Sequence, residues 1–234
     1  MGRALARAMA ERGDHIALLG RNVDQLERSA RDLEARGAAR PVATARCDLE
    51  RPHTFEPSLA EASGALGGLD VVVVTAGIFA PQEELEADPD RVERLLRINF
   101  TNTVLFCEAA RKRLLRGGGG TLCVFSSVAG ERGRKPVVIY GASKAGLSAY
   151  LEGLDHRHRL QGLRVVDVRP GFVRTSMTEG LPEPPFAGEP EHVARRVLRA
   201  IDRGEPVVHA PAPWGAIMAV VKRLPRAVLR RVGF

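Results

Sequence analysis

Cysteine is scarce. Cys47, Cys107 and Cys123 sit far apart, with neither a CxxC pair nor a neighbouring histidine. That spacing offers no zinc site and no disulfide framework, and it fits a chain kept in a reducing cytoplasm. Long hydrophobic runs are also missing, since no stretch reaches the roughly 18 consecutive apolar residues that a membrane span requires. The N-terminal stretch MGRALARAMAERGDH has small apolar residues at helical spacing but no unbroken apolar core before a cleavage site, so it does not read as a signal peptide. Acid is absent from one region: from Pro211 onward there are the cations Lys222, Arg223, Arg226, Arg230 and Arg231 and no Asp or Glu. The formal charge of +7 therefore falls to +2 over the rest of the chain. A basic tail without aromatic interleaving, and without a nucleic-acid motif elsewhere, argues against a nucleic-acid partner.

What is present is a chain of 234 residues, 44% hydrophobic, long enough to bury the core of one α/β domain. Helix-period and strand-period segments alternate. Residues 2-13 read as an amphipathic helix, HIALLG (15-20) as a short buried strand, and 22-36 as a charged helix with Asn22 as N-cap. Residues 41-47 read as a strand, 52-65 as a weaker helix, and LDVVVVT (69-75) as a β-branched strand with both faces covered. The second half repeats the rhythm with a long helix over 89-115, a strand over 121-126, a second long helix over 137-162 and a strand over 164-169. The Pro- and Gly-rich stretch 176-190 reads as a lid-like loop, followed by a helix over 190-203 and a last strand over 206-210. The pattern predicts a Rossmann-like, doubly wound parallel sheet over residues 1-210, with a basic amphipathic tail over 211-234. Ligands on such sheets bind outside the carboxyl ends of the strands.

Tyr140 and Lys144 stand four apart near the start of a helix, on one face. A phenol ionises near pH 10, so it works as an acid-base group at neutral pH only if something shifts it, and a neighbouring ammonium would pull it down. Ser127, at the end of the strand 121-126, can point into the same crevice and polarise a substrate oxygen. Asn99 is a polar residue between Ile98 and Phe100 where the periodicity wants an apolar one. It reads either as a buried amide satisfied by backbone or as an amide at a helix distortion that holds a proton-relaying water.

The constellation Asn99, Ser127, Tyr140 and Lys144, set in the stretch SSVAGERGRKPVVIYGASKAGL, resembles the catalytic tetrad of the short-chain dehydrogenases/reductases. The resemblance runs from Gly2 to about Ala210, with Thr75-Ala76-Gly77 and Pro170-Gly171 in order along it. It implies an oxidoreductase that moves hydride between a nicotinamide cofactor and a carbonyl or alcohol. It also implies cofactor contacts from Gly2, from Arg21 and Asn22, from Asp48 and Leu49 at the adenine, from Ala76 and Gly77, from Tyr140 and Lys144, and from Pro170, Gly171, Val173 and Thr175 at the nicotinamide end. No acid follows Gly20; Arg21 is placed instead to attract a 2′-phosphate, so NADP(H) is the expected cofactor, with NAD(H) left open. Family members commonly form dimers or tetramers through the two long helices, here 89-115 and 137-162.

Where the family opens with a strand and a Gly-rich loop, this sequence begins inside that loop, and Gly2 is the one motif glycine left. The first strand is thus expected to be absent, leaving its neighbours without a ladder partner. The alternative to an active reductase is a shortened homologue with weakened cofactor binding that serves as a binding or scaffold module or is inactive. In the tail, Ile217, Val220, Val221, Leu224 and Val228 lie at helical spacing, interrupted by Pro225. The stripe suits peripheral contact with an anionic membrane, or packing on the chain's own core or on a partner subunit. A small, apolar or lipid-like carbonyl or alcohol is the expected substrate, walled by Met177, Leu181 and Phe186.

Overall fold

The computed structural model describes residues 1–39 and 41–231. Helix α1 (Gly2–Glu11) leads to β1 (Ala17–Gly20), α2 (Val23–Ala35), β2 (Ala43–Arg46), α3 (Phe55–Leu66) and β3 (Val71–Val74). Asn22 caps α2 as its sequence position suggests, its side chain accepting from the Gln25 N–H at 2.9 Å. The stretch read as one long helix is interrupted: α5 (Pro89–Leu96) passes through a π-helical turn (Arg97–Asn102) into α6 (Thr103–Arg116), after a short α4 (Gln82–Glu86) that the sequence did not announce. Then come β4 (Gly120–Phe125), α7 (Val138–His158), β5 (Leu163–Pro170), α8 (Pro190–Arg203), β6 (Val207–Ala210), α9 (Pro213–Val221) and α10 (Arg226–Arg231).

All strand pairs are parallel, and the sheet falls into two parts, β1–β2 and β3–β4–β5–β6. Alternation along the strands sends side chains to two cores. Leu122, Val124 and Val165 meet α3, α6 and α7 on one face, whereas Cys123, Phe125, Val166 and Val168 meet α1 and α8 on the other. Helices on both faces of a parallel sheet make the doubly wound α/β fold expected from the sequence. The break lies between β1 and β3, where the sequence placed the absent strand. Its cost is visible in burial: β4, paired on both sides, is buried from Thr121 to Phe125, whereas Leu18, Leu19, Val71 and Val73 stay partly exposed despite their apolar side chains.

The tail does not stand apart from the domain. Trp214, Met218 and Val221 of α9 turn inward onto Val128, with Phe172 and Ile217 packed against them, and Val220 and Val228 stay exposed. Among the described residues no helix is long and apolar enough to cross a membrane.

The glycine run before β4 is required by close approach. Gly120 has φ +151°, and a Cβ there would lie 2.6 Å from the Asp70 carbonyl oxygen. Gly120→Ala is therefore expected to destabilise by more than about 1 kcal/mol, read as a lowered urea midpoint at unchanged slope; a midpoint equal to the parent's would contradict it.

Candidate active site

Ser127 leaves the end of β4 as the cap of a single 3-10 turn (Val128–Gly130); its Oγ accepts from the Ala129 N–H at 3.1 Å and donates to the Pro170 carbonyl at 3.4 Å. This turn lies flush on α7 because two glycines permit it. A Cβ on Gly130 would come within 2.6 Å of the Ala145 nitrogen, and one on Gly141 within 2.8 Å of the Ala129 carbonyl. Tyr140 occupies the first turn of α7, with the Phe79 ring edge-on at 5.2 Å. One turn on, Lys144 is buried, its Nζ donating to the Phe125 carbonyl at 3.0 Å and standing 5.9 Å from the Tyr140 ring centre.

Asn99 sits fully buried in the π turn, a place where an extra residue breaks the regular ladder. Its Oδ1 accepts from the Ile78 N–H and its Nδ2 donates to the Ile78 carbonyl, both at 2.8 Å. Both sequence readings of Asn99 therefore describe it in part, as a satisfied buried amide and as an amide at a helix distortion. Gly77 completes the cluster: a Cβ there would lie 3.2 Å from Asn99 Oδ1 and 3.6 Å from Lys144 Nζ. The structure thus brings together Gly77, Asn99, Ser127, Tyr140, Lys144 and Pro170 at the carboxyl ends of β3, β4 and β5.

The electrostatics differ from the sequence expectation. Burial pushes the Tyr140 phenol up to about 12, opposed by a hydrogen bond with Ser127, and burial lowers Lys144 to about 8, opposed by the charge of Asp167. Burial is the largest influence on both groups, and Lys144 turns its ammonium to the Phe125 carbonyl. Tyr140 consequently holds its proton at neutral pH.

The other predicted contacts are spread along the same strand ends. Arg21, 67% exposed, reaches Glu50 only at 4.0 Å, and Glu50 is already held by Arg94 at 2.8 Å. Asn22 is engaged in capping α2. Asp48 accepts from the Glu50 N–H at 3.0 Å, and the Leu49 carbonyl accepts from Asn102 at 2.5 Å, fixing that loop to the π turn. Ala76 follows β3 beside Gly77. Gly2 opens α1 against Thr75, where a Cβ would meet the hydroxyl at 2.6 Å. Val173 is buried, and the Thr175 hydroxyl accepts from the Met177 N–H at 3.3 Å. Met177 and Phe186, expected in an apolar wall, stand 40% and 60% exposed.

Three residues of this region carry no local sequence signal of their place. Asp167, a lone acid inside the strand RVVDVR, lies buried and accepts from the Ser126 hydroxyl. Glu131 is buried beside the Ser127 turn, and Trp214 lies over Gly171, where a Cβ would be 2.3 Å from the indole. Their roles come from contacts across many residues, which no spacing encodes.

The family model for short chain dehydrogenase matches residues 1–185. An uncharacterized oxidoreductase of Mycobacterium tuberculosis is 34% identical over 232 residues, 99% of this chain and 92% of that protein. Carbonyl reductase family member 4 of Xenopus laevis is 30% identical over 206 residues, 85% of each chain. The crystal structure of a short-chain type dehydrogenase/reductase from Mycobacterium marinum is similar with a TM-score of 0.80 at 26% identity, over 90% of both chains. With this fold and a family match over most of its length, the chain belongs to the short-chain dehydrogenase/reductase family of NAD(P)-dependent oxidoreductases.

Proposed function

We propose that the chain is an NADP(H)-dependent, cytoplasmic reductase that interconverts a small apolar or lipid-like carbonyl compound and its alcohol, using Asn99, Ser127, Tyr140 and Lys144. The observation that carries this reading is the convergence on Lys144: a buried ammonium on the Phe125 carbonyl, one turn from Tyr140, with Asn99 and the bare backbone of Gly77 against it. The Xenopus relative's name, a carbonyl reductase, supports the same chemistry.

The residues present fit a dinucleotide. Gly77 and Gly2 hold the chain close against Asn99 and against the Thr75 hydroxyl, which fixes the strand ends along which a dinucleotide would lie. Pro170, Gly171, Val173 and Thr175 would flank the nicotinamide end, and Ala76, Asp48 and Leu49 the adenosine end. Arg21 favours a 2′-phosphate, because Arg94 already neutralises Glu50 and leaves the exposed guanidinium loosely held. The nicotinamide, when bound, supplies or accepts the hydride. Ser127 donates a hydrogen bond to the substrate oxygen, and Tyr140 delivers the proton to it in reduction. Lys144 lends positive charge beside the phenol and holds the cofactor ribose. Lys144 Nζ and Asn99 Oδ1 flank the same point beside Gly77, which supports proton resupply through this pair. Segment 176–190 would turn Met177, Leu181 and Phe186 onto an apolar substrate.

Leu96, Phe100, Leu105 and Val138 are exposed on the two long helical stretches and support a homodimer or homotetramer built on 89-115 and 137-162. On the tail, exposed Val220 and Val228 beside Arg223, Arg226, Arg230 and Arg231 support peripheral contact with anionic lipid.

Tyr140→Phe removes the proton donor and should lower kcat by about 10²- to 10⁴-fold in an NADPH-oxidation assay with aliphatic ketones and aldehydes, with NADPH binding retained; parental turnover in this variant would sink the assignment. Arg21→Ala should narrow the NADPH-over-NADH preference in kcat/KM by about tenfold or more, and an unchanged ratio would remove Arg21 from selection. Reduction should run at a level rate below pH 8 and decline as Lys144, lowered to about 8, loses its proton. Because this folded-state value lies below the ordinary 10.5, burial of the charge costs stability at neutral pH, and that cost fades as pH rises from about 8 towards 10.5. Lys144→Met should therefore abolish turnover and remove the gain in stability between about pH 8 and 10.5; a gain equal to the parent's over that range would contradict it.

A further inference from the structure

Glu131 immediately follows the turn that Ser127 caps, and its side chain is only 3% exposed. Three elements reach it. Lys222, just past α9, donates to Oε2 at 2.6 Å, His209 of β6 contacts Oε1 through Nε2 at 2.7 Å, and Arg169 of β5 lies 3.4 Å from Oε2. Burial alone would raise this carboxyl, but the bonds from His209 and Lys222 and the charges of His209 and Arg169 hold it down at about 2. It stays ionised at any working pH. Arg169 continues the chain inward, its Nε bonded to Asp167 at 2.7 Å, and Asp167 accepts from Ser126 and acts on Lys144.

The C-terminal segment clasps the same loop at further points. Arg132 donates to the Leu224 carbonyl at 2.9 Å and Lys135 to the Arg230 carbonyl at 2.6 Å. Gly215 lets α9 lie on His209, since a Cβ there would be 3.3 Å from Nδ1. Trp214 covers Gly171 and donates from its indole N–H to the Phe186 carbonyl at 3.2 Å, so α9 touches both loops that border the site. Val128, Phe172, Trp214 and Met218 form one apolar cluster next to Ser127.

We propose that Glu131 is a positioning residue, the anchor through which the C-terminal helix α9 fixes the Ser127 loop and segment 171–188 and thereby sets which substrates the site accepts. The proposal rests on the reductase reading for its catalytic half, whereas the anchoring itself does not. Removing the Glu131 charge leaves Lys222 without its ionised partner and weakens the hold on His209, whereas Arg169 keeps Asp167, so α9 loosens. Ser127 then loses its fixed place relative to Tyr140, and small misplacements of reacting groups are costly.

Trp214, the one tryptophan in the chain, reports α9 docking directly. Its emission maximum and acrylamide quenching are to be measured in the parent, in Glu131→Gln, in Lys222→Met and in the double variant. Lys222 is 44% exposed, so its replacement leaves the core intact should Glu131→Gln fail to fold. Both single variants should shift emission to the red and raise the quenching constant about twofold, as local opening exposes the indole. The double variant should be no worse than Glu131→Gln, as for partners in one interaction. Emission and quenching equal to the parent in Lys222→Met and Glu131→Gln would overturn the anchor. In NADPH oxidation with a series of ketones of increasing chain length, at saturating NADPH, the variants should change the rank order of kcat/KM. A loosened α9 with an unchanged rank order would overturn the role in substrate selection. A parent chain without turnover would count against the reductase reading alone, because fluorescence still decides the anchor.

Discussion

The bond from Lys144 to the Phe125 carbonyl, 3.0 Å long and made in a dry setting, ties the last residue of β4 to the second turn of α7. An ammonium cannot remain buried without such an acceptor, and its lowered affinity for the proton records the cost of being there. Around that bond the other elements take up fixed distances. Gly130 and Gly141 let the Ser127 turn lie on α7, and Gly77 lets the chain after β3 pass against Lys144. Asn99 locks that passage by bonding both polar atoms of Ile78. A side chain at any of these glycines, or a regular helix through Asn99, would move the phenol, the hydroxyl and the amine relative to one another.

The parallel sheet explains why these groups meet at all. Parallel strands end on one side of the sheet, so the residues that follow β3, β4 and β5 emerge side by side though they are far apart in sequence. The same geometry exposes a weakness, because β1 and β3 are unbonded to each other, and Leu18, Leu19, Val71 and Val73 are only half-covered. The site's acid-base half rests on the continuous four-stranded part, whereas Arg21, Asn22, Asp48 and Leu49 follow the two-stranded part. Besides the shared core around Leu19, Cys47 and Leu49, polar contacts join them, among them Asn102 to the Leu49 carbonyl and Arg94 to Glu50. The loop after β2 is thereby fastened to the helix that carries Asn99.

Much of this was legible in the sequence where a local rule governs. The Asn22 cap, the β-branched strand after Leu69 and the helix over 190-203 follow from capping and periodicity, and the helix distortion at Asn99 was marked by an amide in an apolar position. The direction of the Tyr140 shift was not legible. Spacing tells that an ammonium is near, but not how much water the fold removes, and burial is the larger effect. Nor was the anchoring of the tail, since Glu131 and Lys222 stand far apart in sequence and their ion pair obeys no spacing rule. The apolar stripe after Pro211 suits inward packing, a membrane or a partner equally by spacing, and in the fold Val128 and Phe172 take up Trp214 and Met218.

The account turns on Lys144 as a dry amine, and that state is open to direct observation. The chain has four lysines, Lys112, Lys135, Lys144 and Lys222, so the Cε resonances of 13C-labelled lysine are few enough to assign by substitution. Followed by NMR as pH is raised, the Lys144 resonance should titrate near pH 8. A Lys144 that titrates near the ordinary value of 10.5 would contradict the burial of the ammonium and the arrangement built on it.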